Sequence, residues 1–496
     1  MANGPISDLK FPFDVLVVGL AREGTALARF LAEHGARVTA TDVKPAEALA
    51  GSLATLAGLP LTYVLGDHPL SLLDRVDVVM VSPGVPLEIP LLVEAVRRGL
   101  PLSSETRLFA RLCPAPIAGI TGSSGKTTTT ALLGEMLRAA GRRTWVGGNI
   151  GQPLIGCLES IVPADSVVME LSSFQLEFFA PWSRTERRDP AASEQDSALF
   201  DPAGWSPPVA AILNLTPNHL DRHPTMEAYV AAKAHILRYQ RAGDFCVLNR
   251  DDPVTRRRSE ELAPVQRVLW FSLEREVPEG AFLRGDELIL SWAARQETVC
   301  RLADLRLMGR HNVANMLAAC ALAAATGVPV EAMRQVATSF CGVEHRLELV
   351  RERNHVRWYN DTIATTPERT VAALRAFDAP LVLLAGGRDK HLPWEEMAAL
   401  TWLKVRHLVL FGEAAGLIEH AMRAAQPEPQ APGAGYAPRS TTIHRADTLE
   451  RAVEIAAEVA RPGDVVLLSP GGTSFDAYPD FVARGEHFRQ LVRGLE

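Results

Sequence analysis

Short apolar runs recur along the chain, and most end at a Gly, Ser, Asp or Asn turn that opens a segment of helical period. Residues 15–19 (VLVVG) read as a buried strand. The helix that follows carries Leu27, Phe30 and Leu31 on its apolar face, and residues 36–42 (ARVTATD) read as a second strand, completing a βαβ unit. Residues 76–86 (VDVVMVSPGVP) repeat the pattern, with a turn at Ser82, Pro83 and Gly84. At residues 116–137 a short apolar run gives way to a Gly-Ser turn, Lys126, four threonines and a helical pattern. Buried strands are predicted again at SVVMEL (166–171), VAAILNL (209–215) and DFCVLN (244–249), and an Ala-rich helix within 302–327. A last series comprises VRWYND (356–361), PLVLLAGG (380–387), VRHLVLFG (405–412) and GDVVLLSP (463–470). Residues 180–208 and 426–440 are polar, Pro-rich and aperiodic, and read as surface loops.

Strands alternating with helices predict an α/β protein with mostly parallel sheets. Three domains are expected: a Rossmann-like N-terminal domain over 1–114, a central P-loop ATPase-like domain over 115–342 and a C-terminal Rossmann-like α/β domain over 343–496. The length of 496 residues agrees with that number at roughly 150 residues per domain.

Composition narrows the classes. The net charge of −7 argues against a non-specific nucleic-acid binder, which carries a basic excess. The six cysteines are scattered without zinc or redox spacing and read as thiols in a reducing compartment. The N-terminal apolar run is too short for a membrane span and lacks a signal-peptide cleavage pattern. A cytoplasmic monomer with no nucleic-acid or membrane partner is expected.

The candidate chemistry gathers at the predicted strand ends. The strict G-x-x-x-x-G-K-[ST] pattern fails, because Ile120 stands five residues before Gly125. The shorter TGSSGKTT, Thr121 to Thr128, remains: Gly122, Ser123, Ser124 and Gly125 would bend the backbone round an anion. Lys126 would then reach outer phosphates, and Thr127 and Thr128 open the helix, with the Thr127 hydroxyl placed to ligate Mg2+. Glu170 ends a buried strand, a poor position for packing and a good one for a cation at the sheet's carboxyl edge. His219, Asp221 and His223 follow the next strand. Lys233 falls on an amphipathic helix, where a solvated lysine is the ordinary reading. His311, Asn312 and Asn315 open the Ala-rich helix, the two asparagines on one face. Three Gly-containing or hydroxyl-rich turns in the last segment, around Asp361, Lys390 and Thr473–Ser474, suggest a binding crevice. In the first segment VVGLAREGTA is a weak dinucleotide fingerprint, since Ala21 takes the place of its middle glycine. Asp42, about 20 residues on, suits a ribose- or base-reading acid, and a nucleotide sugar is favoured over NAD.

Taken in order, TGSSGKTTT, GGNIGQP, ELSSFQLE, NHLDRH, AAKAHI, LMGRHNVAN, EHRLE, NDTIATTPE, AGGRDK and LLSPGGTSFD resemble the motifs of the Mur ligase family over nearly the whole chain. SSFQLE with HLDRH points to its glutamate-adding branch. The resemblance implies an ATP-dependent acid–amino-acid ligase of peptidoglycan precursor synthesis. Its substrates would be ATP, glutamate and UDP-N-acetylmuramoyl-L-alanine, joined through an acyl phosphate. It implies that the loop and Lys126 hold ATP, with Asn312, Asn315, Arg346 and Asp361 as further ATP contacts. Thr127 and Glu170 would hold one Mg2+, and His219 with a carbamate on Lys233 a second. Leu20, Arg22, Asp42, Val43, Gly84, Asn149, Ser172, Gln175 and His219 would contact the UDP substrate, and Thr365, Lys390, Ser474 and Phe481 the incoming glutamate.

Two turns depart from the family pattern. NDTIATT stands where NDSKATN is frequent, so Ile363 replaces a lysine, and SPGGTSFD replaces SPACASFD-like turns. Both flank the expected amino-acid pocket, so addition of L-glutamate stays an alternative to D-glutamate. A P-loop motor or switch, a folylpolyglutamate-synthase-like ligase and a non-catalytic UDP-sugar binding module are the more distant readings.

Overall fold

The run Asp14–Val18 becomes the middle strand of a five-stranded parallel sheet, in the computed structural model of the chain, with the spatial order Leu61–Leu65, Arg37–Asp42, Asp14–Val18, Val78–Val81, Leu102–Ser103. The structure describes residues 11–181, 204–216, 222–223, 225–260, 266–307, 309–377, 379–390, 392–426 and 441–495. His219, Asp221 and most of the two loops expected at 180–208 and 426–440 lie outside the described residues. The sheet order reverses between Asp14–Val18 and Val78–Val81, which opens a crevice at their carboxyl ends. Gly19 ends the first strand at φ 90°, and the helix Arg22–Glu33 starts close behind it. A Cβ on Gly24 would stand 1.9 Å from the Gly19 carbonyl oxygen, so only glycine permits that approach.

The second sheet has nine strands in the order Arg295–Arg301, Glu287–Trp292, Gly280–Arg284, Arg267–Ser272, Phe245–Asn249, Val209–Ile212, Ile117–Thr121, Ser166–Glu170, Thr144–Gly148. The strands from Arg267–Ser272 to Thr144–Gly148 are parallel, and so is the Arg267–Ser272 to Gly280–Arg284 pair. The last two strands add an antiparallel meander. Alternation does not reveal this edge, because Arg295–Arg301 is polar and mostly exposed. Ile117–Thr121 is central and fully buried, so the glycine loop and the helix Lys126–Ala139 leave from the switch point of this sheet. The Ala-rich helix, Arg310–Ala325, packs against Lys126–Ala139, and its small side chains allow near-complete burial from Asn315 to Ala324.

The third sheet runs Glu348–Arg353, Val356–Asn360, Val465–Gly471, Leu381–Gly386, Val405–Phe411, Thr442–Arg445, parallel except at the Glu348–Arg353 edge.

Contacts divide the chain into two compact units, Met1–Phe340 and Cys341–Glu496. The first unit holds two sheets because one apolar cluster joins them: Val15, Phe30 and Phe109 pack in the same core as Ile117, Leu154 and Phe179. The second unit has apolar clusters on both faces of its sheet, around Leu383 and Leu408 and around Leu384 and Phe488. No helix among the described residues is long and apolar enough to cross a membrane.

Candidate functional site

The glycine loop is held open by groups far from it in sequence. Gly122 has φ 156° and Gly125 φ 80°. A Cβ at Gly125 would meet Asn315 Oδ1 at 2.3 Å, so the loop lies directly on the Ala-rich helix. Asn315 Nδ2 donates to Asn312 Oδ1 at 3.1 Å. The loop's other wall is Asn214. Its Oδ1 accepts from Ser124 N at 2.9 Å, its Nδ2 donates to Ser124 O at 3.1 Å, and its carbonyl accepts from Ser123 N at 2.9 Å. Ser123 Oγ donates to Thr216 O at 2.9 Å. Lys126 Nζ folds back onto Gly122 O and Ser123 O, at 2.9 and 3.4 Å. The amino end of a 14-residue helix and an ammonium group thus face one bend, which favours an anion. Asn214 was not singled out in the sequence; its only signal there is a polar residue directly after a buried strand. Asn214→Ala is expected to cost about 1–2 kcal/mol of stability. It should also weaken nucleoside triphosphate binding roughly tenfold, measured by titration.

Beside the loop, Glu170 ends its strand 2% exposed. Asn149 Nδ2 donates to Glu170 Oε1 at 2.9 Å, and Glu170 Oε2 has no hydrogen-bond partner among the described residues. An unpartnered buried carboxylate oxygen is costly unless a cation takes it. Lys233, also 2% exposed, lies on the helix Met226–Arg238, which Thr225 caps. Its Nζ donates to Thr121 Oγ1 at 3.2 Å and lies 4.9 Å from the centre of the Tyr229 ring. Burial holds the Lys233 amine well below its usual range; the Lys126 charge adds to this and the Glu170 charge opposes it. The amphipathic pattern had suggested a solvated lysine, and the structure buries it instead. Among the described residues no three His, Cys, Asp or Glu side chains form a metal-sized group. The orphaned Glu170 oxygen, the buried Thr127 and Lys233 do fit a divalent cation, provided the lysine carries a carboxylate. His223, by contrast, is engaged structurally: its Nε2 meets Ser173 Oγ at 2.9 Å and its ring stacks on Phe174.

At the first sheet's crevice, Asp42 Oδ2 accepts from Leu20 N at 2.8 Å and Oδ1 from Lys44 N at 2.9 Å. Val43 beside it is 61% exposed. Arg22 reaches the central sheet's turn, donating to Gly151 O at 2.7 Å and Asn149 O at 3.2 Å. Arg222 reaches the other way, to Gly84 O at 3.2 Å and Val85 O at 3.3 Å, with its guanidinium over Phe174. Ser172 and Gln175 form a capping box on the helix Ser173–Glu177. The geometry therefore brings Leu20, Arg22, Asp42, Gly84, Asn149, Ser172 and Gln175 into one connected region of the first unit.

In the second unit Asp361 is buried, accepting from Ser469 Oγ at 2.8 Å and Leu347 N at 3.2 Å. Burial pushes its carboxyl up to about 7, against the pull of Ser469 and Arg346. Arg346 is exposed and flanked by His345 and Leu347 at φ 63° and 43°, a strained pair of non-glycine residues. Lys390 Nζ lies 3.5 Å from Thr365 Oγ1, and Ser474 is buried in the turn after the sheet's longest buried strand. Phe481 starts the last helix and meets the His345 ring edge-on. Arg484, fully buried and absent from the candidates drawn from the sequence, ties these turns together. It donates to Thr362 Oγ1 at 2.9 Å, Thr362 O at 3.1 Å, Thr473 O at 3.1 Å and Gly472 O at 3.2 Å.

Three α/β sheets, with an anion cradle at the switch point of the central one, define a phosphate-binding protein of the P-loop class. The chain belongs to the Mur ligase family. The Mur ligase MurD-like N-terminal domain matches residues 13–104, the Mur ligase middle domain residues 120–187 and 193–323, and the Mur ligase glutamate ligase domain residues 345–472. A protein of Symbiobacterium thermophilum named UDP-N-acetylmuramoylalanine--D-glutamate ligase is 44% identical over 97% of this chain and 97% of its own. One of the same name from Clostridium novyi is 40% identical over the same shares. Among solved structures, UDP-N-acetylmuramate-alanine ligase from Thermotoga maritima is 17% identical, covers 97% of this chain and 99% of its own, and has a TM-score of 0.53. At that identity the likeness bears on the fold alone.

Proposed function

We propose that this chain is the ATP-dependent ligase that joins D-glutamate to UDP-N-acetylmuramoyl-L-alanine in peptidoglycan precursor synthesis, releasing ADP and phosphate. The observation that carries the reading is the glycine bend with Lys126 set beside the orphaned oxygen of Glu170 and the buried Lys233. The choice of D-glutamate over L-glutamate is supported by the names of relatives matching 97% of the chain.

The reaction needs no covalent nucleophile from the protein. The substrate's alanyl carboxylate attacks the outer phosphorus of ATP, and ADP leaves. The glutamate amine then attacks the acyl carbon, loses a proton, and phosphate departs from the tetrahedral intermediate. Backbone amides of Gly122–Thr128 and the Lys126 ammonium would neutralise the phosphate charge, with Asn312, Asn315, Arg346 and Asp361 as further ATP contacts. Thr127 and Glu170 would hold one Mg2+, and His219 and a Lys233 carbamate a second; bound there, the ions would offset charge on the transferred phosphoryl group. Burial lowers the proton affinity of Lys233, which favours the free lone pair that carbamate formation with CO2 requires.

Leu20, Arg22, Asp42, Val43, Gly84, Asn149, Ser172, Gln175 and His219 are assigned to the UDP substrate, and Thr365, Lys390, Ser474 and Phe481 to glutamate. This reading divides the chain at residues 114 and 342 and takes it as a cytoplasmic monomer. The test is phosphate release by purified protein with ATP, Mg2+ and UDP-N-acetylmuramoyl-L-alanine, with D- or L-glutamate in separate reactions. Release only with D-glutamate is expected. Release with L-glutamate alone, or without the UDP substrate, would overturn the assignment.

A further inference from the structure

Two buried carboxyl groups outside the site just described meet where the first sheet joins the central one. Glu23 lies in the first turn of the helix behind the Leu20–Arg22 turn, and Glu105 starts the helix Glu105–Leu112 that leads into the central sheet. They are 9% and 3% exposed. Gln175 Nε2 donates to Glu23 Oε1 at 2.9 Å, and Ile155 N donates to Glu105 Oε1 at 3.0 Å. The two remaining oxygens, Glu23 Oε2 and Glu105 Oε2, both turn to a single group, Thr106 Oγ1, at 3.5 and 3.3 Å.

A hydroxyl has one proton to donate and lone pairs to accept. Among the described residues, four carboxylate oxygens therefore face three donated protons, and two buried carboxylates this close do not both stay ionised. We propose that Glu23 and Glu105 hold one proton between them, relayed through the Thr106 hydroxyl, and that this acid pair positions the Leu20–Arg22 turn against the Asn149 and Ser172 turns. One carboxylic acid donates to Thr106 Oγ1, and Thr106 donates to the other, ionised carboxylate. The consequence follows from where the donors sit. Ile155 lies just past the Asn149 turn that Arg22 grips, and Gln175 belongs to the capping box of Ser172. The pair thus sets the distance between the nucleotide-sugar end of the site and Glu170.

The charges around the pair agree. Burial raises both carboxyls, and for Glu23 the neighbouring Glu105 raises it further, while Arg22 is the cation that opposes the shift. Of the other charged groups on the packed elements, Arg107 is directed to the carbonyls of Phe178 and Ala180, and Glu177 lies 3.6 Å from His223. For acids raised in the folded state, the contribution is present at low pH and lost as pH rises through the folded value. Both carboxyls are raised above the ordinary carboxylate range, so the junction is tight while the shared proton is held and loosens as rising pH removes it.

The functional arm of the test rests on the proposed UDP substrate; the spectroscopic arm does not. Infrared difference spectra of the full chain at neutral pH are expected to show a protonated carboxylic-acid carbonyl band that is lost in both Glu105→Gln and Glu23→Gln. In the parent, KM for the UDP substrate should rise severalfold between about pH 7 and about pH 9 with kcat nearly unchanged. In Glu105→Gln, whose amide stands in for the neutral acid, that rise should vanish. Absence of the band in the parent, or its survival in both variants, overturns the shared proton. Equal pH profiles of KM in parent and Glu105→Gln overturn the positioning role. Failure of any UDP-substrate turnover with the band present strikes the functional reading and leaves the proton pair standing.

Discussion

Lys126→Ala is expected to abolish ligation, lowering kcat/KM at least about a hundredfold in steady-state assays. The ammonium is the one side-chain cation on the glycine bend that can follow charge onto the transferred phosphoryl group; the remaining donors there are backbone amides. Its present partners, the carbonyls of Gly122 and Ser123, hold the side chain over the bend and are easily exchanged for phosphate oxygens. A variant that turns over near the parent rate would remove the phosphate role of the loop, and with it the proposed chemistry.

Lys233→Ala should be nearly as damaging, with activity down roughly a hundredfold, and should recover in part when acetate or formate is added. The cavity left by the side chain opens beside Thr121 Oγ1 and Tyr229, and a small carboxylate entering it would replace the acid that the proposed carbamate supplies. Desolvation, and after it the Lys126 charge, lower the proton affinity of the buried amine, which favours the unprotonated form that reacts with CO2. A carbamate signal from labelled CO2 should appear in the carbon NMR spectrum of the parent and be missing from the variant. Full activity of Lys233→Ala without added carboxylate would show that no acid is needed at this position.

Much of the fold was legible because burial leaves a local trace. VLVVG, SVVMEL and VVLLSP are strands on both counts, since strands of a parallel sheet are covered on both faces and read as unbroken apolar runs. The run at 267–301 was missed for the complementary reason. Its edge strand, Arg295–Arg301, is mostly exposed and carries little apolar signal, and the antiparallel meander interrupts the strand–helix rhythm. Site residues divide along the same line. The glycine loop declares itself in eight consecutive residues because its backbone conformation demands glycine at Gly122 and Gly125.

Strand–turn–helix units, the place of the anion-binding bend and the residues gathered at the strand ends are all readable along the chain. Apolar periodicity and glycine placement are local consequences of burial and backbone sterics. Which polar side chains meet across long stretches of chain is a matter of packing. Lys233 reads as a solvated lysine from its helix pattern alone and as a metal-site residue only through the family resemblance; the structure buries it against Thr121, 112 positions away. Asn214 acquires a role from Ser124, 90 positions away, and Arg484 from Thr362, 122 positions away. Glu23 joins Glu105 in one acid pair through Thr106, which lies 83 positions from Glu23. A polar group's protonation and orientation are set by the donors, acceptors and solvent exclusion that distant segments bring to it, and no local pattern encodes that company.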